Sequence, residues 1–152
     1  MENKKIFIGA DSAGYELKEI IKQYIKEKGY DVVDCGTDSC ASCHYPEFAS
    51  KVAKSVQKNL DTSLGILICG TGIGMSMVAN KYKGIRAAVC GDTFSARMTR
   101  NHNDANVLCM GARVIGQGLA KDITDLFLEN GFDGGRHKIR VDMITDIENG
   151  EH

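Results

Sequence analysis

Ile66 to Asn80 reads Ile-Leu-Ile-Cys-Gly-Thr-Gly-Ile-Gly-Met-Ser-Met-Val-Ala-Asn, and this stretch restricts the fold more than any other. An apolar run with the character of a buried strand stops at Cys69. Three glycines follow at alternate positions (Gly70, Gly72, Gly74), and a small-residue helix begins. Strand, glycine turn and helix in that order form one βα unit of a parallel sheet. The same order sets a thiol beside a row of backbone N–H groups. A helix N-terminus leaves its first amides unpaired and carries partial positive charge, so such a row can hold an anion. A nucleophile or base next to an anion cradle points to a chemical site.

The rest of the chain repeats this alternation. Strands are expected at Lys5–Ala10, Asp31–Cys35, Leu64–Cys69, Arg86–Cys90 and Val107–Met110. Tyr15–Lys28 reads as a helix with Leu17, Ile20, Ile21, Tyr24 and Ile25 on one face, stopped by Gly29. Pro46, the only proline, is placed to open a helix running to about Lys58. Further helices are expected over Gly74–Tyr82, Thr93–Asn101, Gly118–Asn130 and Arg136–Asn149. Strands separated by helices pair in parallel through right-handed crossovers, which covers the sheet on both faces. The expected fold class is therefore α/β: a three-layer α/β/α, Rossmann-like fold with a five-stranded parallel sheet and a protruding C-terminal helix. No repeat, low-complexity tract or linker divides the 152 residues, which suit one domain over residues 1–152. Gly131–Gly135 reads as a loop on which the last helix can swing.

Nineteen basic side chains against twenty acidic ones leave a formal charge of −1, which argues for neither nucleic acid nor a membrane surface as partner. The N-terminal Met-Glu-Asn-Lys-Lys leads into a four-residue apolar run, too short for a signal peptide or a membrane span. The expected location is the cytosol, where the six cysteines stay reduced and most serve as small packing residues.

In open α/β sheets ligands bind outside the carboxyl ends of the strands. Those ends present Asp11 after the first strand, Cys69 after the third, Cys90 to Asp92 after the fourth, and Gly111 and Arg113 after the fifth. Asn101-His102-Asn103-Asp104, just before the fifth strand, is read as joining this convergence. Each candidate also has a plain structural role. A lone Cys69 reads as a core residue, and the glycine turn reverses that reading because a helix N-terminus favours the thiolate; Thr71 and Asp11 also read as caps, and His102 as a surface imidazole at a helix end.

Gly134-Gly135-Arg136-His137-Lys138-Ile139-Arg140 places Arg136 and Arg140 one turn apart on one helix face. Cations at a helix start oppose the macrodipole, and that cost suggests a compensating anion. Two forked guanidiniums suit a phosphate. Cys40-Ala-Ser-Cys43-His44 matches the c-type haem attachment pattern, and its three donors fall one short of a zinc set. It is better read as a loop beside the site, with no metal and no cofactor.

Together these motifs resemble the ribose-5-phosphate isomerase B family. The resemblance rests on Cys69-Gly-Thr-Gly-Ile-Gly-Met-Ser76, Ala79-Asn80-Lys81, Gly84-Ile85-Arg86-Ala87, Ser95-Ala96 and Thr99-Arg100. It continues in His102-Asn103-Asp104-Ala105-Asn106, Gly111-Ala112-Arg113-Val114-Ile115-Gly116 and Gly134-Gly135-Arg136-His137, nearly the whole chain. It implies interconversion of an aldose phosphate and a ketose phosphate through an enediolate, without metal or organic cofactor. By the same resemblance Cys69 is the base that moves a proton between C1 and C2, Thr71 assists it, and His102 opens the sugar ring. The amides of Gly70, Gly72 and Gly74 with Asn103 hold the enediolate oxygen. Asp11, Ser12 and Tyr45 line the sugar, and Arg113, Arg136, His137 and Arg140 take the phosphate. The terminal-helix arginines (helix region 131–149) reach the neighbour's site, which implies a homodimer, with pairing of dimers left open.

Two positions depart from the family pattern. Asp11 is followed by Ser12 where the family has histidine, and His44 stands before Tyr45-Pro46 where it has aspartate. Both bear on the sugar and leave a galactose- or allose-type hexose 6-phosphate open as substrate. The competing classes are a non-catalytic phosphate- or nucleotide-binding module, for which a G-x-G-x-G turn alone is weak support, and a subunit that has lost activity. The latter is discouraged by the joint presence of Cys69, His102 and the arginines.

Overall fold

Residues 4–151 are described by a computed structural model. The opening residues 1–3, part of the segment that carries the signal-peptide reading, lie outside them. Five strands, β1 (Lys5–Ala10), β2 (Asp31–Asp34), β3 (Ser63–Cys69), β4 (Ala87–Val89) and β5 (Val107–Gly111), form one parallel sheet in the order β2-β1-β3-β5-β4. Six helices connect and follow them: α1 (Tyr15–Glu27), α2 (Tyr45–Gln57), α3 (Ile73–Ala79), α4 (Thr93–Asn103), α5 (Gln117–Glu129) and α6 (Arg136–Glu148).

The two faces of the sheet are set by the period of two along each strand. Ile6, Ile8, Leu64, Ile66, Ile68, Leu108 and Met110 point to one side, where Leu17, Ile21 and Ile25 of α1 and Ala120, Ile123 and Phe127 of α5 cover them. Leu67, Cys69, Val107 and Cys109 point to the other, against Ala49, Val52, Ala53 and Val56 of α2 and Met75 and Ala79 of α3. β3 lies in the middle and is buried at every position. The expected α/β/α sandwich is what forms. α6 stays outside both layers: Val141 is its one buried residue, while Ile139, Met143, Ile144 and Ile147 are exposed.

The boundaries differ from the sequence reading in two instructive places. α3 stops at Ala79 because the Asn80 side chain turns to the backbone of Ala87, accepting from its N–H (2.8 Å) and donating to its carbonyl (3.0 Å). That side chain serves as the missing neighbour of edge strand β4. β4 itself begins only at Ala87, since the Arg86 N–H is taken by Asn106 Oδ1 at 2.7 Å.

Two polar clusters fix the ends of the sheet. Lys18, fully buried, donates to both Asp34 carboxylate oxygens (2.8 and 2.7 Å) and to the Thr37 carbonyl (2.6 Å), tying α1 to the end of β2. At the opposite end Asp104 pairs with Arg86 and Arg100, each at 3.2 Å. Arg100 also donates to the Ala105 carbonyl and lies over the Phe127 ring. Buried ionic groups are tolerated when every partner is present, as here.

Candidate active site

The strand order reverses direction between β1 and β3, since the chain leaves β1 toward β2 and leaves β3 toward β4. Ligands gather in the crevice at such a switch point. Cys69 closes β3 there, 6 % exposed, paired in register with Gly111. The turn that follows folds back on it: Gly72 N–H donates to Cys69 Sγ at 3.1 Å, and Ile73 N–H donates to Thr71 Oγ1 at 3.2 Å. Gly72 has φ +82° and packs on the Met110 backbone, a conformation that disfavours any side chain. Among the described residues the N–H groups of Gly70, Thr71 and Gly74 make no backbone or side-chain hydrogen bond, so they are available to an oxygen of a ligand.

Three neighbours wall this turn. Tyr45, the first residue of α2, lies against Gly74 so closely that an added Cβ would be 2.6 Å from its ring. Arg113 follows β5, its N–H on the Gly70 carbonyl (3.0 Å) and its guanidinium 3.6 Å from where a Gly70 side chain would begin. Asp11 follows β1 and accepts from Gly14 N–H at 3.0 Å, so its capping role is realised, with half-buried Ser12 beside it. Cys69, Thr71, Asp11, Ser12, Tyr45 and Arg113 thus share the carboxyl edge of the sheet.

His102 and Asn103 do not join them. α4 runs back from the end of β4 to the start of β5, so its last turn lies at the amino edge, beyond the full length of β5 (about 13 Å of strand) from Cys69. The expected convergence of residues 101–104 with Cys69 within one chain is therefore corrected by the topology. His102 instead meets the start of α6: its ring stacks on His137, centroids 4.1 Å apart and planes 7° from parallel. Loss of water around the ring, with repulsion from His102, Arg136 and Arg140, holds His137 below the usual histidine pKa. Arg136 and Arg140 are exposed and form no ion pair among the described residues. The Gly131–Gly135 loop is not a free swing either. Asn101 holds it twice, donating from Nδ2 to the Gly131 carbonyl (2.7 Å) and accepting from Asp133 N–H (3.0 Å).

Burial pushes the Cys90 thiol up to about 11, and raises Cys35 and Cys109 as well. Cys40 and Cys43 lie in the loop before α2 as free thiols, and with His44 they do not bring their donor atoms together. Among the described residues the one trio of possible metal ligands that does converge is His102, Asp133 and His137. The sequence marks His102 and His137 as candidate substrate-binding residues and does not mark Asp133, whose position depends on the Asn101 contact.

A thiol and free amides at the switch point, with the Arg113 guanidinium beside them, make a site of the parallel α/β class suited to a small anionic ligand. The chain belongs to the Ribose/Galactose Isomerase family, whose profile matches residues 6–144. It is 49 % identical to the ribose-5-phosphate isomerase B of Escherichia coli over 145 residues, covering 95 % of this chain and 97 % of that one. It is 46 % identical to a galactose-6-phosphate isomerase subunit of Streptococcus pyogenes, covering 93 % and 98 %. Among solved structures, the ribose-5-phosphate isomerase B of Mycoplasma genitalium with bound ribulose 5-phosphate superposes with a TM-score of 0.94 at 44 % identity, covering 98 % of this chain and 99 % of that one. The enzyme from Clostridium thermocellum gives 0.93 at 50 %, covering 97 % and 99 %. No described helix is long and apolar enough to cross a membrane.

Proposed function

We propose that this enzyme interconverts ribose 5-phosphate and ribulose 5-phosphate, with Cys69 as the base. The observation that carries the reading is Cys69 at the end of β3 with Gly72 N–H on its sulfur and three free amides around it, in a chain about half identical to enzymes of that name. With the ring open, the Cys69 thiolate takes the C2 proton of the aldose. The electron pair moves into a C1–C2 double bond, and charge collects on the carbonyl oxygen. The amides of Gly70, Thr71 and Gly74 meet that charge without reorganising, usually a large catalytic contribution. Cys69 returns the proton to C1 while the O2 proton passes to O1, giving the ketose. Thr71, whose oxygen already accepts from Ile73 N–H, keeps its own proton free for the substrate oxygens.

A homodimer follows from the separation of the two half-sites. Ring opening by His102, oxygen binding by Asn103 and phosphate binding by Arg136, His137 and Arg140 all require groups at the amino edge, out of reach of Cys69 in the same chain. A second copy that lays its α6 across the carboxyl edge supplies them, and the exposed Ile139 and Met143 of α6, Ile73 and Met77 of α3 and Phe94 of α4 give apolar surface for that contact. The enzyme then works in the cytosol on a soluble sugar phosphate.

Ser12 favours a second reading, a hexose 6-phosphate substrate, because it leaves space and removes a cation where the family pattern has histidine; exposed His44 beside Tyr45 partly replaces that imidazole. The deciding measurement is turnover of ribose 5-phosphate, allose 6-phosphate and galactose 6-phosphate by wild type and Cys69→Ala. Ribose 5-phosphate should turn over fastest, and the substitution should cost about a thousandfold or more. Faster turnover of a hexose phosphate changes the substrate and keeps the mechanism; no turnover of any overturns the reading. A KM unaltered for all three in His44→Ala removes the role given to His44.

A further inference from the structure

The His102–His137 stack has a third member. The ligand atoms of His102, Asp133 and His137 all lie within 4.8 Å of one another, at the junction of α4, the Gly131–Gly135 loop and α6. Neither imidazole, nor the Asp133 carboxylate, takes a hydrogen bond or ion pair within the described residues; Asp133 is tied down only through its backbone N–H, on the Asn101 carbonyl. The three donors are gathered yet unsatisfied by each other.

We propose that His102, Asp133 and His137 form a binding site for a divalent transition metal of the zinc, nickel and copper class, and that a bound metal inhibits the enzyme. Two imidazole nitrogens with one carboxylate suit these borderline ions, whereas magnesium and calcium prefer oxygen throughout. A tetrahedral metal at ordinary bond lengths sets its ligand atoms about 3.3 Å apart. The stacked rings aim their in-plane lone pairs side by side, so binding turns one half-exposed imidazole out of the stack toward the other ring and the exposed Asp133 carboxylate. Asn101 supplies a fixed backbone: it precedes His102 in the chain and holds the loop that bears Asp133 from both sides. Three protein ligands leave open positions for water or a phosphate oxygen.

The inhibitory part rests on the isomerase reading. A nitrogen of His102 bonded to metal cannot exchange a proton with the sugar ring, and His137 cannot turn toward a phosphate. Asp133 has no part in the reaction, so it separates metal binding from catalysis.

Calorimetric titration of the intact wild-type protein with Ni²⁺, in buffer free of phosphate, tests the site directly. About one ion per chain is expected at micromolar concentration. Asp133→Asn should weaken it at least tenfold, since even supporting residues of metal sites contribute about that much, and Cys40→Ser/Cys43→Ser should leave it unaltered. Binding that survives Asp133→Asn, binding lost with the two cysteines, or none up to about 1 mM, where affinity is negligible, overturns the site. In the assay Ni²⁺ should inhibit ribose 5-phosphate turnover by wild type and not by Asp133→Asn, whose metal-free activity should equal wild type. Metal that binds without slowing turnover overturns the inhibition. Absence of turnover on any sugar phosphate overturns the isomerase reading, while the calorimetry still decides the site.

Discussion

Cys69 and His102 stand at opposite ends of the same sheet, the thiol where β3 finishes and the imidazole just before β5 begins. If both act on one substrate, they act from two chains. Cys69→Ala and His102→Ala homodimers should each be crippled. Mixed and allowed to exchange, they should recover about a quarter of wild-type activity per chain, because half of the dimers become hybrids and each hybrid has one intact site of its two. Kinetics after co-refolding measure this; no recovery, with hybrids present by mass, refutes the shared site.

Gly74 and Tyr45 share one volume. The ring that a Gly74 side chain would strike is 40 % exposed and can swing away, so Gly74→Ala should unfold within about 1 kcal/mol of wild type while displacing Tyr45 from the proposed sugar site. kcat/KM should fall about tenfold, and Tyr45→Ala should do the same. The double variant should be little worse than either, because both changes remove the same ring.

If the start of α6 holds the phosphate, arginine and not histidine should meet its charge. His137 is held below the ordinary histidine pKa of about 6.5, so it is neutral at pH 7.5. Arg136→Ala and Arg140→Ala should each raise KM about ten- to a hundredfold, the worth of a hydrogen bond to a charged group. His137→Gln should raise it less than about threefold at that pH, near the value of one neutral hydrogen bond. Initial rates across substrate concentration decide between them.

Lys18 and Asp34 make the fold sensitive to acid. Partial burial works against the Asp34 carboxylate, but the Lys18 and Lys22 ammoniums outweigh it and hold its pKa below the usual carboxylate value. A depressed folded pKa adds stability above the unfolded value, about 3.9, and that stability is lost as pH falls through the folded one. Denaturant midpoints of wild type should drop over that acid range, and Asp34→Asn should flatten the drop. At pH 7 Asp34→Ala should cost about 3–5 kcal/mol, because it leaves fully buried Lys18 with only the Thr37 carbonyl and Glu19.

Sequence alone determined the elements, the α/β class and the grouping of a thiol with free amides at the carboxyl edge. Apolar periodicity and glycine spacing are local properties, and Cys69, Thr71 and the glycines are neighbours along the chain. It also singled out Arg136 and Arg140, because two cations at a helix start are a local anomaly. Only the tertiary structure decided which of these residues meet. The direction of α4 carries His102 away from Cys69 and against His137, and the Asn101 contacts bring in Asp133, which no local pattern marks. Lys18 is the same kind of case: its residue type predicts a solvated helix face, and it is buried because Asp34 and Thr37, sixteen and nineteen residues away, converge on its ammonium. Periodicity reports which face of an element is buried, whereas the meeting of distant side chains depends on how whole elements run across the sheet.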